Sequence, residues 1–242
     1  MQVLIISDIH ANLAAFEAVL DHAPHFDEVW CLGDVVGYGP KPNMCIERLR
    51  GLPHTGLAGN HDWAALGKLE LNSFNAVARS ANEWTQRRLS AASRAYLDGL
   101  PPTFEGDVFT LAHASPREPM WEYIVDATTA YQNFERFSSP FCLVGHSHVP
   151  AIFELDEERE RCELMLAPFP ETVELGPRRA IINPGSVGQP RDGDPRASYG
   201  VLDTDAMTFQ FHRVAYPISI TQERMRAQGL PQRLIDRLGV GR

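Results

Sequence analysis

Five polar clusters punctuate the first part of this chain: Asp8 with His10, Asp34, Asn60-His61-Asp62, His113, and His146 with His148. Each follows a short apolar stretch: residues 3–6, a run ending at Leu32, and residues 55–58, 108–112 and 141–144. Core packing favours apolar side chains at such positions, and burying imidazoles and carboxylates without partners is costly. Metal coordination would give all of them partners. Carboxylate, amide and imidazole without thiolate form a mixed oxygen and nitrogen donor set. It suits manganese, iron, cobalt, nickel or zinc better than magnesium or calcium, which favour oxygen shells. The donors are too many for one ion and suit two divalent ions that share a bridging carboxylate.

The elements that must position these residues alternate in type. Val3 to Ile6 is apolar on both faces, as in a strand buried between layers of a mostly parallel sheet. Leu13, Phe16, Val19 and Leu20 recur at helical spacing until Pro24, and residues 27–32 make the second strand. This β-α-β crossover is expected to be right-handed. Ligands of such sheets sit beyond the carboxyl ends of the strands, where the polar clusters fall. Residues 43–50 predict a short helix, and residues 63–97 read as mostly helical, with Ser73 and Ser90 as N-caps. A hairpin around Gly106-Asp107 leads to His113, and a helix is expected near 127–137.

Beyond Pro150 the texture turns to strands, at 151–155, 161–166, 172–174, 179–182, 198–203 and 208–213. The charged run from Asp156 to Glu160 reads as a solvated hairpin turn. Helices near 220–227 and 232–238 close the chain. Neither repeat nor linker interrupts it, so residues 1–242 are expected to form one domain.

The balance of 22 Lys and Arg against 31 Asp and Glu gives −9 at pH 7, which argues against non-specific grip on long nucleic acid. Cys31, Cys45, Cys142 and Cys162 form no CxxC pair. Cys31 and Cys142 lie in apolar runs and read as reduced core residues. The opening is too short and uncharged for a signal peptide, and no apolar run reaches the roughly 18 residues of a membrane span. The expectation is a cytoplasmic protein without membrane contact.

Asp8-x-His10, Gly33-Asp34, Gly59-Asn60-His61-Asp62, His113 and Gly145-His146-Ser147-His148 together resemble the five-part signature of the calcineurin-like metallophosphoesterase superfamily. VVGYGP after Asp34 and NPGSVGQPR from Asn183 resemble its small bacterial and archaeal phosphodiesterase branch. Ala11 stands where glycine commonly follows the first histidine.

The resemblance implies an α/β (α+β) fold, a two-sheet β-sandwich flanked by helices in four layers, αββα. It implies that Asp8, His10 and His148 hold one ion, that Asn60, His113 and His146 hold the other, and that Asp34 bridges them. His61 would be the catalytic histidine, oriented or charged by Asp62. Two such ions lower the pKa of a bridging water and polarise phosphoryl oxygens. In-line attack on phosphorus follows, with His61 assisting the leaving group. The implied substrate is a small phosphoester, a phosphodiester first and a nucleotide among the candidates. A phosphomonoesterase or a nucleotide pyrophosphohydrolase would use the same centre. A protein-binding scaffold on this fold would have eroded ligands, and here they are intact.

Weaker signals surround this set. Arg191 and Arg117 are candidate substrate clamps, because a guanidinium matches phosphate geometry; solvated surface arginines fit as well. Asn60 is a third candidate substrate contact. The glycines from Asn183 to Gly188 suit a loop bordering the site. Trp121 and Tyr123 read as core aromatics in preference to stacking platforms.

Overall fold

The chain begins with β1 (Gln2–Ile6), whose alternate residues bury on opposite faces. Val3 and Ile5 enter a core shared with Leu111, Leu143, Ile182 and Phe209. Leu4 and Ile6 enter another with Phe16, Val19, Ile46 and Leu49. This period of two explains why the run is apolar throughout, since each face meets a different layer.

The computed structural model describes residues 1–242. After β1 come α1 (Leu13–His22), β2 (Glu28–Cys31), α2 (Pro42–Arg50) and β3 (His54–Gly56). Three helices follow: α3 (Asn60–Leu66), α4 (Ala76–Arg88) and α5 (Ala91–Asp98). Next are β4 (Thr103–Glu105), β5 (Phe109–Ala112), α6 (Ala127–Asn133) and β6 (Phe141–Val144). The strand-rich part holds β7 (Ala151–Asp156), β8 (Arg161–Leu166), β9 (Thr172–Glu174) and β10 (Ala180–Asn183). It continues with β11 (Ala197–Asp203) and β12 (Thr208–Val214), before α7 (Ile218–Ala227) and α8 (Gln232–Arg237).

Two six-stranded sheets result, in the orders β3-β2-β1-β11-β12-β9 and β4-β5-β6-β10-β7-β8. Within the first, β1, β2 and β3 run parallel; within the second, β5, β6 and β10 do. Helices α1 and α2 cover the outer face of the first sheet, where Phe16 and Ile46 are fully buried. Ala130 of α6 and the following Phe134 and Phe137 cover the outer face of the second, against Cys142, Phe153 and Ile181. The layers are therefore the expected αββα. Fully burying one such Leu, Ile or Phe stabilises by about 1.5–3 kcal/mol.

The helix starts show how local chemistry sets boundaries. Asn12 caps α1 by accepting from Ala15 N–H, and Ser90 caps α5 by accepting from Ser93 N–H. Asn75, and not Ser73, caps α4: its side-chain oxygen accepts from both Val77 and Ala78 N–H. Hairpin β7–β8 turns through the charged run, as expected. All four cysteines are buried and free. No helix is long and apolar enough to cross a membrane.

Candidate metal centre

The parallel strands of both sheets end at one edge. Leaving β1, β2, β5 and β6, the chain delivers Asp8, Asp34, His113 and His146; after β3 it delivers Asn60 at the start of α3. Backbone hydrogen bonds lace these endings together. Asp8 N–H donates to Gly33 O at 3.0 Å, His10 N–H to Asp34 O at 2.9 Å, and Gly145 N–H to His113 O at 2.8 Å. Asp8, His10, Asp34, His146 and His148 all adopt positive φ, between 48° and 62°. Side chains with a Cβ rarely occupy this region, and such strain gathers at functional sites. Ala11 joins them at φ 52°, so the residue replacing the family's glycine takes up a glycine-like conformation. Close approach also needs true glycines. A Cβ on Gly59 would lie 2.0 Å from Asp34 Oδ1.

The ligand atoms gather in two groups, Asp8–His10–His148 and Asp34–His113–His146. His10 Nε2 and His148 Nε2 are 3.2 Å apart, and His148 Nε2 is 3.1 Å from Asp8 Oδ1. The Nδ1 of His10 faces Val36 O at 3.1 Å and that of His148 faces Gln189 O at 2.6 Å. Each Nδ1–H therefore donates to a carbonyl, and in the neutral ring each Nε2 presents a lone pair. Two lone pairs and a carboxylate oxygen face one another across a buried gap, an arrangement that suits a cation.

His113 repeats the pattern with Nδ1 on Leu32 O at 2.8 Å and Nε2 3.3 Å from Asn60 Oδ1. Asp34 Oδ2 lies 3.7 Å from His10 Nε2 and 3.5 Å from His113 Nε2, between the two groups. Its other oxygen accepts from His61 N–H. Asp8 Oδ1, Asp34 Oδ2 and His146 Nε2 are buried without a hydrogen-bond partner. The residues fit two ions with Asp34 between them.

Electrostatics agree. Burial is the largest influence on His10, His146 and His148 and lowers all three, His146 to about 3. Burial opposes ionisation of Asp8 and Asp34, yet the surrounding histidines hold both carboxyls below the usual range. For His113, burial is the largest influence and pulls down, but Asp34, Asp8 and the Leu32 carbonyl together outweigh it, and the ring is raised to about 9.

His61 sits in the first turn of α3, its ring 5.0 Å from that of His10. Asp62 does not orient it. The Asp62 carboxylate accepts from Val35, Val36 and Gly59 N–H, so it ties the loop after β2 to the start of α3. The partner of His61 is Asn82 of α4, whose Oδ1 lies 2.9 Å from His61 Nδ1. Asn82 stands in a helix with no sequence signal beyond its being a polar residue on the buried face. Arg117 is also not a free clamp: it is taken up by Glu122 and by Gln132 Oε1.

Arg191 does reach the site, its backbone N–H donating to His148 O at 3.3 Å. It lines a cleft of about 440 Å³ together with Tyr38 and Tyr123. The Tyr38 ring lies 4.3 Å from His61, and Tyr123 stacks on His146 at 4.1 Å. Trp121 packs in the core as expected, whereas Tyr123 is 47% exposed. The loop after Asn183 borders the centre: Gly188 N–H donates to Asp8 O, and Ser186 Oγ to the same oxygen.

Comparison with known proteins agrees with this geometry. Residues 1–207 match the calcineurin-like phosphoesterase superfamily domain. An uncharacterised protein of Methanocaldococcus jannaschii, MJ0912, is 36% identical over 251 residues, covering 99% of this chain and 98% of its own. The crystal structure of a metallophosphoesterase from Sphaerobacter thermophilus superposes with a TM-score of 0.92 at 48% identity, covering 100% of this chain and 99% of that one. A shorter similarity, 32% over 75 residues, is to a symmetrical bis(5'-nucleosyl)-tetraphosphatase of Glaesserella parasuis, covering 29% of this chain and 28% of that one. The chain belongs to the calcineurin-like phosphoesterase superfamily.

Proposed function

We propose that this metallophosphoesterase hydrolyses small phosphodiesters in the cytoplasm, as one domain, with two divalent transition-metal ions in the two ligand groups. The carrying observation is Asp34 Oδ2, unpartnered and within 3.7 Å of a histidine from each group. When bound, the two ions supply an activated water and the positive charge that polarises the phosphoryl oxygens. Water adds to phosphorus, the P–O bond to the leaving group breaks, and the departing oxygen takes up a proton. His61 provides it from Nε2, because Nδ1–H is committed to Asn82. Asn60, a neutral ligand, limits negative charge where an anionic substrate must approach. Arg191 meets the substrate from the cleft side.

A second reading, nucleotide pyrophosphohydrolase, is favoured by the similarity to a bis(5'-nucleosyl)-tetraphosphatase. Metal-stripped protein, reloaded singly with Mn, Fe, Co, Ni or Zn, is to be assayed on chromogenic monoesters and diesters, cyclic nucleotides and nucleoside polyphosphates. Metal-dependent diesterase activity is expected, falling about 10²–10⁴-fold in His61→Ala. A His61→Ala protein that keeps both ions and the full rate would remove His61 from the mechanism.

A further inference from the structure

The cleft beside the centre has a chemical character that the ligand groups do not explain. Arg191, from the loop after β10, meets Arg233 and Arg237 of α8 along its wall. In a chain with nine more acidic than basic residues, no Asp or Glu carboxylate lies within 4.0 Å of these three guanidinium groups. Neighbouring arginines behave differently: Arg196 pairs with Asp194, and Arg213 with Asp192. Arg191 Nε is buried without a partner, while its Nη2 donates to Gln189 Oε1 at 3.2 Å. Arg237 Nε donates to the main-chain oxygen of Arg242, the last residue. Burial, and after it the like charge of Arg191, with Arg233 adding to both, holds the Arg237 guanidinium below its ordinary value, so the charges crowd one another. Opposite them lies the first turn of α4, capped by Asn75, presenting the positive end of the helix dipole.

Three crowded guanidinium groups with no Asp or Glu beside them, one with a buried unpartnered Nε, next to a helix N-terminus suit an anion. A single phosphate held at the ligand groups does not meet all of them. Tyr38 and Tyr123 join the cleft to the centre, since one packs on His61 and the other on His146. We propose that Arg191, Arg233 and Arg237 hold a second phosphate of the substrate, beyond the one attacked. The favoured substrates are thus compounds with a chain of two or more phosphates, or diesters whose leaving group is itself phosphorylated. This deepens the hydrolase reading and rests on it. Guanidinium forks suit phosphate oxygens, so the arginines are read as specificity residues, not catalytic ones.

The test compares one-phosphate substrates, bis(p-nitrophenyl) phosphate and p-nitrophenyl phosphate, with diadenosine tetraphosphate, ATP and inorganic tripolyphosphate. Wild type and the doubly substituted R233A/R237A protein, both reloaded with metal, are assayed side by side. Calorimetry follows tripolyphosphate binding to the same two proteins stripped of metal. Expected is a fall of about 30-fold or more in kcat/KM for the polyphosphates, against less than threefold for the one-phosphate diester. Tripolyphosphate binding should weaken by a similar factor, and R233K/R237K should recover part of both. Nucleotide and inorganic substrates distinguish a nucleoside-bearing ligand from polyphosphate itself. Equal losses on both substrate classes, or unchanged tripolyphosphate binding, would overturn the proposal while leaving the hydrolase intact. If no substrate is cleaved by reloaded wild type, the hydrolase reading fails, and the binding measurement alone judges the cleft.

Discussion

The two halves of the metal centre use the same residue types and hold them differently. In the group formed by Asp8, His10 and His148, both imidazoles are fixed through Nδ1 to backbone carbonyls, Val36 O and Gln189 O. In the group formed by Asp34, His113 and His146, only His113 is fixed this way, to Leu32 O. His146 has an Nε2 without a partner and rests against Tyr123, which is itself half exposed. A carbonyl sets both the tautomer and the angle of a ring, whereas a stacked neighbour restrains only its plane. The first half is a preorganised grip and the second is a looser one. Both share Asp34.

The sharpest way to break this comparison is to remove what the halves share. Asp34→Ala is expected to empty both positions, and activity to fall by about three orders of magnitude or more. Metal content per chain, measured by elemental analysis after desalting, checks it. Retention of one full ion would show that Asp34 does not bridge. Next in size is the difference between the halves. Under graded chelator, wild type is expected to release its ions in two steps, with affinities about 10–100-fold apart. His146→Ala should abolish the weaker step and His148→Ala the stronger one. A single step in wild type would erase the distinction.

How much of this was legible in the sequence differs by kind of contact. The candidate ligands were legible because metal donors need particular atoms at the ends of particular strands, and both constraints leave traces in residue type and order. The strands of the second half of the chain were legible from alternation and turn residues, and their ends fell within a residue or so of those expected. What escaped is whatever depends on long-range orientation of a side chain with more than one possible partner. Asp62 directly follows His61, but it lies one helical step round from it, and its carboxylate turns back to three backbone N–H groups. Asn82 is 21 residues away and comes into reach only when α4 packs on α3. Tyr123 and Trp121 share a loop and an aromatic character, and only the packed fold separates the exposed one from the buried one.

Asn82 supplies a third and smaller prediction, for it positions His61 beside the first group. Asn82→Ala is expected to lower kcat by about tenfold while both ions stay bound. It should also move the limb of the pH–rate profile that reports His61, because the Nδ1 partner holds the proton there. A merely structural role would lower the rate without moving that limb. Asn82→Asp should shift it upward, since a carboxylate favours the charged ring.

The smallest expected effect concerns stability without metal, where His113 differs in sign from His10 and His148. Burial holds His10 and His148 below the ordinary histidine value of 6.5. A histidine with a depressed folded pKa contributes stability that is present above 6.5 and is lost as pH falls, because the unfolded chain takes up the proton first. His113 is the opposite case: burial works against its charge, but Asp34, with Asp8 and the Leu32 carbonyl, raises it to about 9. Its contribution is full below 6.5 and is lost as pH rises through about 9. Melting temperatures of metal-free wild type, His148→Gln and His113→Gln, taken from pH 5.5 to about 9.5, test the contrast. The gap between wild type and His148→Gln should close toward acid, and the gap to His113→Gln should close toward alkali. A shift of about 2–4 °C corresponds to roughly 1 kcal/mol in a chain of this size. Gaps that move together with pH would mean that the two halves respond to burial alone, and that Asp34 does not hold a proton on His113 when the cation is gone.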